Sequence, residues 1–247
     1  MNVSRITRME PGPDGFEVWE QIPDSALIRG KPTQRGRMVW DDKDTGLQVG
    51  AWDCTTMTTV MEPYSVHEFM HILEGAVTIV HEDGSELTVE AGERFVIPKG
   101  TVCSWKQQGY IRKYFVIFDD PSGAKAENPS TLRAFKLDPH AELSPSPVVG
   151  GSFRGGVPNQ AERVFFEDPT GQLSVGLWMS TPFEREPAAF DRCELMLPVE
   201  GEMTLIGNGR EQTFRPGDAA FVPEGADYCW KSEETVAKIY VIFKAKD

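Results

Sequence analysis

No apolar run in this 247-residue chain approaches the length of a membrane span, and Met-Asn-Val-Ser-Arg-Ile-Thr-Arg at its start has no hydrophobic core of the signal-peptide kind. Basic residues are few: 25 Lys and Arg against 38 Asp and Glu, a net charge of -13, with no block of either sign. That balance argues against nucleic acid and anionic membrane as partners. Cys54, Cys103, Cys193 and Cys229 have neither the C-x-x-C spacing of a zinc or redox site nor the density of a secreted disulfide scaffold. A cytoplasmic protein with reduced thiols is expected. Helical periodicity is scarce throughout.

What the chain does have is repetition. Gly92-Glu-Arg-Phe-Val-Ile-Pro-Lys-Gly-Thr-Val-Cys-Ser-Trp105 returns as Gly217-Asp-Ala-Ala-Phe-Val-Pro-Glu-Gly-Ala-Asp-Tyr-Cys-Trp230, with both glycines, the proline and the tryptophan in place. An apolar run between a Gly and a Pro-x-Gly reads as a buried strand between tight turns, ended by a proline that has no N–H for the ladder. Gly30, Pro32, Gln34 and Arg37 return as Gly156, Pro158, Gln160 and Arg163. Asp42, Leu47, Val49, Gly50 and Trp52 return as Asp168, Leu173, Val175, Gly176 and Trp178. Glu68, Met70, Glu74 and Gly75 return as Glu194, Met196, Glu200 and Gly201, and Lys113-Tyr-Phe-Val-Ile-Phe118 as Lys238-Ile-Tyr-Val-Ile-Phe243. A repeat this long means two duplicated domains, not a solenoid.

Alternating segments recur between Gly and Asp turns: Leu47 to Trp52, Phe69 to Leu73, Ala76 to Val80, Glu86 to Val89, Arg94 to Ile97 and Arg112 to Phe118. Many short strands at regular spacing predict an all-β barrel or sandwich. Residues 1–36 read as an N-terminal arm that packs Phe16 and Trp19 onto a domain face, 37–120 as the first domain, 121–162 as a Pro/Ser/Gly-rich linker with a short helix or strand near Leu132 to Leu137, and 163–247 as the second domain.

These residues resemble the cupins, small jelly-roll barrels, here in tandem as a bicupin. Glu68 to Gly75 and Glu194 to Gly201 fit the Glu–Gly part of the first cupin motif; Gly92, Pro98 and Gly100, with Gly217, Pro223 and Gly225, fit the second. The Cys103-Ser-Trp105-Lys ending and the Ile111-Arg-Lys113-Tyr tail are similar to the subgroup named after (S)-ureidoglycine aminohydrolase, which also holds ethanolamine-utilisation cupins. The resemblance implies two all-β jelly-roll barrels from about Arg37 onward.

It also implies a site inside the barrel, which metal cupins build from three His and one Glu. Those His positions fall here on Glu62, Tyr64 and Cys103, and in the second domain on Ala188, Phe190 and Tyr228; only Glu68 and Glu194 remain. The second domain has no histidine after His140, so no metal of the usual kind is expected there. In the first, Glu62, Glu68 and Cys103 are the candidates for an unusual transition-metal site; otherwise no cofactor is expected. His67 and His71 lie at odd spacing from Glu68 and so face away from the interior of a regular strand.

The subgroup's recurring residues suggest a second constellation: Glu68, Lys113 and Cys103 in catalytic roles and Tyr64, Glu62 and Trp105 in ligand binding, with Glu194, Trp230 and Lys238 as a partial second copy. A Glu and a Lys inside an apolar barrel either prepare a general acid and base or form a pair that ties two strands together. Trp105 and Trp230 either pack the barrel or stack on a ligand. Because the first barrel keeps polar residues where the second has Ala188, Phe190 and Tyr228, a ligand site is expected in the N-terminal barrel. Three functions stay open. One is binding or transforming a small polar metabolite there without a His-rich metal site; another is a metal-dependent hydrolase similar to ureidoglycine aminohydrolase, whose metal-bound second barrel has no ligand set here. The last is a non-catalytic structural or sensing bicupin. The partner expected is a small molecule, and the protein a monomer or homodimer.

Overall fold

The computed structural model describes residues 5–121, 123, 131–148, 152–207 and 209–246. The chain divides into two compact units, Pro11–Leu137 and a second made of Met1–Glu10 with Asp138–Asp247. Among the described residues every regular element is a strand apart from a 3-10 turn at Asp24–Ala26, and no helix is long and apolar enough to cross a membrane.

Each unit is a pair of antiparallel sheets. In the N-terminal unit a seven-stranded sheet runs Phe135–Lys136, Arg94–Ile97, His67–Glu74, Ile111–Phe118, Leu47–Cys54, Gln34–Asp42, Glu17–Val18. Facing it are Glu86–Glu90, Ala76–His81, Val102–Gln107, Met57–Thr59 and Leu27–Gly30, with Glu62–Pro63 also paired to Val102–Gln107. The C-terminal unit repeats this order strand for strand, with Ala220–Val222, Cys193–Glu200, Val236–Phe243, Leu173–Ser180 and Gln160–Glu167 in the large sheet. Alternation decides which side chains enter the barrels. In Ala76–His81 residues Val77, Ile79 and His81 are buried between more exposed neighbours, and Tyr228, Trp230 and Ser232 alternate likewise in Asp227–Ser232. Gly75 at φ +80 makes the turn between two such strands, where a Cβ would fall 2.1 Å from the Tyr110 carbonyl oxygen.

The first 36 residues are shared between the units. Leu27–Gly30 and Glu17–Val18 extend the two N-terminal sheets, Trp19 lies over Gly36 and edge-on to Phe115 at 6.1 Å, and Phe16 meets the Arg37 guanidinium at 5.7 Å. Thr7–Arg8, by contrast, pairs with Ala220–Val222 of the C-terminal unit. Its counterpart is Phe135–Lys136, which pairs with Arg94–Ile97 of the N-terminal unit. Thr7 opposes Phe221 as Phe135 opposes Val96, so both edge strands dock in one register, each supplied by the chain that precedes the other barrel. His81 anchors one of them, its Nε2 accepting from the Ala134 N–H at 3.0 Å. Ile6 fills the core of the C-terminal unit at 8% exposure, with Phe214 and Ala220 in the same cluster. Ile6→Val is therefore expected to cost about 1 kcal/mol in denaturant unfolding; a change indistinguishable from zero would place residue 6 outside that core.

Candidate functional site

Along Ile111–Phe118, alternate residues face the core, which puts Lys113 on the inward face with Ile111 and Phe115. Glu68, Met70 and Ile72 do the same on the neighbouring strand, and Trp52 lies directly opposite Lys113 on the other side. A register shift between Arg112 and Lys113 marks a bulge beside the lysine, a device that re-aims side chains at barrel rims.

The lysine is buried, at 6% exposure, as is Glu68 at 4%. Lys113 Nζ donates to Glu68 Oε1 at 2.7 Å and to Met70 Sδ at 2.9 Å, and sits 4.9 Å from the ring centroids of both Trp52 and Trp105. The Tyr64 hydroxyl donates to Glu68 Oε2, so both carboxylate oxygens are engaged. Two of the three ammonium N–H groups are spent on protein, which leaves one for a ligand. Burial of the Tyr64 hydroxyl, then the Glu68 charge beside it, pushes the phenol well above its ordinary range, although the ring is partly exposed.

A cavity of about 360 Å³ opens over this group, walled by Trp52, Met57, Ile79, Ile97, Cys103 and Trp105. Glu62, Tyr64 and Lys113 also line it, so the predicted residues Glu62, Tyr64, Cys103, Trp105 and Lys113 meet in one place, with Glu68 behind Lys113. Their chemistry differs. Glu62 is solvent-exposed, opposite Cys103 in the strand pairing. Burial, and after it the Glu62 charge, pushes the Cys103 thiol up to about 11, which disfavours the thiolate a nucleophile needs. Trp105 is held by its Nε1–H, which donates to Gln107 Oε1 at 2.7 Å, while the Gln107 amide donates to the carbonyls of Cys54, Thr55 and Gly109.

Glu62, Glu68 and Cys103 do not suit a transition metal. Glu68 already neutralises Lys113 and accepts from Tyr64, which engages both its oxygens, and none of the three supplies an imidazole. No cluster of three or more His, Cys, Asp and Glu able to hold a metal exists among the described residues. His67 and His71 lie outside the cavity lining. His67 Nδ1 accepts from the Lys99 N–H at 3.0 Å, and His71 Nδ1 lies 3.2 Å from the Glu93 carbonyl.

The C-terminal barrel keeps the core of this arrangement with one exchange. Lys238 Nζ is 2.5 Å from Glu194 Oε1 and lies over Trp178 and Trp230, at 5.1 and 4.5 Å. Where Tyr64 holds the second oxygen of Glu68, Phe190 has no hydroxyl, and Arg192 Nε takes Glu194 Oε2 at 3.2 Å. Burial alone would raise the Glu194 carboxyl, but the charges of Lys238 and Arg192 outweigh it and hold it below the ordinary range. Burial lowers the Lys238 ammonium; Glu194 offsets part of this, while Arg192 and Arg185 push it further down. Sequence reading missed Arg192 and the site role of Trp52 and Trp178. The signals were there, an Arg where the first repeat has Val66 and a repeated Trp opposite each lysine.

The profile of the EutQ-like cupin domain matches residues 42–115 and again 167–240, more than half of the chain. No curated protein matches the sequence. Among solved structures, a protein of unknown function from Pseudomonas syringae pv. tomato is 27% identical with a TM-score of 0.79, covering 97% of this chain and 100% of its own. Protein Ylba from E. coli is 10% identical with a TM-score of 0.56, covering 99% and 93%. Salicylate 1,2-dioxygenase from Pseudoaminobacter salicylatoxidans is 13% identical with a TM-score of 0.52, covering 81% and 72%. The last two are likenesses of fold alone.

Proposed function

This chain belongs to the EutQ-like cupin domain family, and on that premise we propose that its N-terminal barrel binds a small polar metabolite and polarises it without a His-held metal. The observation that carries the reading is the Lys113 ammonium at the floor of the cavity, paired to Glu68 and set between two indole faces. Aromatic and aliphatic walls with a few convergent polar groups are the usual makeup of a small-molecule site, and 360 Å³ suits a compact ligand. The ligand's body lies against Trp52, Trp105 and Ile79, and an acceptor oxygen takes the remaining Lys113 N–H. Negative charge developing on that oxygen would be stabilised by an ammonium held in place beforehand. The Tyr64 hydroxyl keeps Glu68 oriented towards the lysine.

A scaffold reading is favoured by one observation, the return of the pair as Glu194–Lys238 in the other barrel. Titration calorimetry with a panel of small amides, ureides and carboxylates separates the two. The double variant Glu68→Gln, Lys113→Met removes both charges together and so spares the fold a lone buried ion. Saturable binding to the wild type, weakened at least tenfold in the double variant, is the expected result. Equal affinity in both proteins, or no saturable binder in the panel, would leave the pair as a tie between strands.

A further inference from the structure

We infer that the C-terminal barrel carries a second, independent site, which takes a small carboxylate anion on Arg185. Sequence asymmetry pointed to the first barrel, yet the second also encloses a cavity, of about 210 Å³ and lined only by residues of its own unit. Three cations line it, Arg185, Arg192 and Lys238, against two carboxylates, Glu162 and Glu194. Both carboxylates are already committed. Glu194 answers Lys238 and Arg192, and Glu162 accepts from the Tyr240 hydroxyl, whose ring crosses Gly176 to reach it. Arg185 is left over. Its backbone pairs with Phe153, but its side chain makes no hydrogen bond and no ion pair among the described residues, and its Nε is buried without an acceptor.

A second donor is stranded in the same barrel. Trp230 is 6% exposed, and its Nε1 has no partner because Ser232 stands where the first repeat has Gln107. The Ser232 hydroxyl is turned to the carbonyls of Glu202 and Glu234 instead. Buried donors without acceptors are costly, and three cations sharing two occupied carboxylates repel one another. An anion supplied from outside relieves both, and a planar guanidinium fits a carboxylate through two parallel hydrogen bonds. Trp178 and Trp230, stacked at 5.2 Å and 28°, offer a flat apolar wall for the rest of the ligand. The first barrel has Thr59 and Val66 in place of Arg185 and Arg192, so this arginine site has no counterpart there.

The test is titration calorimetry of the full chain with benzoate, its neutral isostere benzamide, and inorganic phosphate. One benzoate per chain is expected, with benzamide at least tenfold weaker. Arg185→Met should weaken benzoate at least tenfold without lowering the melting temperature, since the Arg185 side chain has no hydrogen bond or ion pair to lose among the described residues. Arg185→Lys should recover part of the affinity. Thr78→Ala, outside the cavity lining of the other barrel, should leave benzoate binding unchanged. Absence of saturable benzoate binding, phosphate binding alone, full affinity in Arg185→Met, or loss in Thr78→Ala would each overturn the assignment.

Discussion

Glu68→Ala is expected to lower the unfolding free energy by about 3–5 kcal/mol, because it strands a buried ammonium without its counter-ion. Lys113 is 6% exposed and among the described residues has Glu68 as its charged partner, its other contacts being a thioether and two indole faces. Cation–π attraction contributes about 0.5–2 kcal/mol and cannot replace a carboxylate at 2.7 Å. The lysine then either stays charged at that cost or releases its proton. Removing both charges behaves differently. The double variant Glu68→Gln, Lys113→Met leaves no lone ion and should recover most of the loss, since buried pairs replaced by neutral groups of similar volume are often close to neutral in stability. Denaturant unfolding of the wild type, Glu68→Gln, Lys113→Met and the double variant measures the coupling directly. A cost under 1 kcal/mol for Glu68→Ala would mean that water reaches Lys113, and the cavity floor described above would have to be open.

Much of this pair was legible in the sequence. Both strands are buried along most of their length, so alternation alone did not place Glu68 and Lys113, but their return as Glu194 and Lys238 marked them as a pair kept in both repeats. The repeat also carried the fold, because Gly-x5-Pro-x-Gly turns and apolar runs are local signals. Of the reciprocal edge strands, a short helix or strand near Leu132 to Leu137 was legible, but Thr7–Arg8 and the pairing of either were not. Arg5-Ile-Thr-Arg-Met9 and Arg133-Ala-Phe-Lys-Leu137 share only their first residue, and each forms a two-residue strand, too short for a period. Their placement depends on the partner edge at Ala220–Val222 or Arg94–Ile97, distant in sequence. Arg192 was hidden for another reason. It lies outside the cupin motif positions, and only the loss of the Tyr64 hydroxyl at Phe190 explains why Glu194 needs it. Trp19 covers Gly36 with its indole, because an aromatic in a Pro/Gly-rich stretch has few other ways to leave water.

Between pH 6.5 and 4 the N-terminal unit should lose roughly 3 kcal/mol of stability through His71 alone, at about 1.4 kcal/mol per unit of separation between folded and unfolded pKa. His71 is 6% exposed, its ring tilted against Tyr114 at 6.2 Å and its Nδ1 against the Glu93 carbonyl at 3.2 Å. Burial, and after it the positive charge of Arg94, pushes its pKa from 6.5 down to about 4, against a smaller upward pull from the Glu93 carbonyl. The neutral ring is thus the folded form, with Nδ1–H donating to that carbonyl. Above pH 6.5 the ring is neutral in both states and its contribution is whole. As the pH falls below 6.5 the unfolded chain takes up a proton that the folded chain refuses, so stability declines until the folded ring titrates near 4. His71→Asn cannot titrate and keeps a side-chain amide donor for the Glu93 carbonyl. Its unfolding free energy, compared with the wild type at pH 7.5, 6, 5 and 4.5, should fall less steeply, the two curves converging by roughly 2.5 kcal/mol between the first pH and the last. Parallel curves would show that His71 takes its proton in the fold as readily as in water, with Arg94 and the burial of the ring offset by a neighbour not yet recognised.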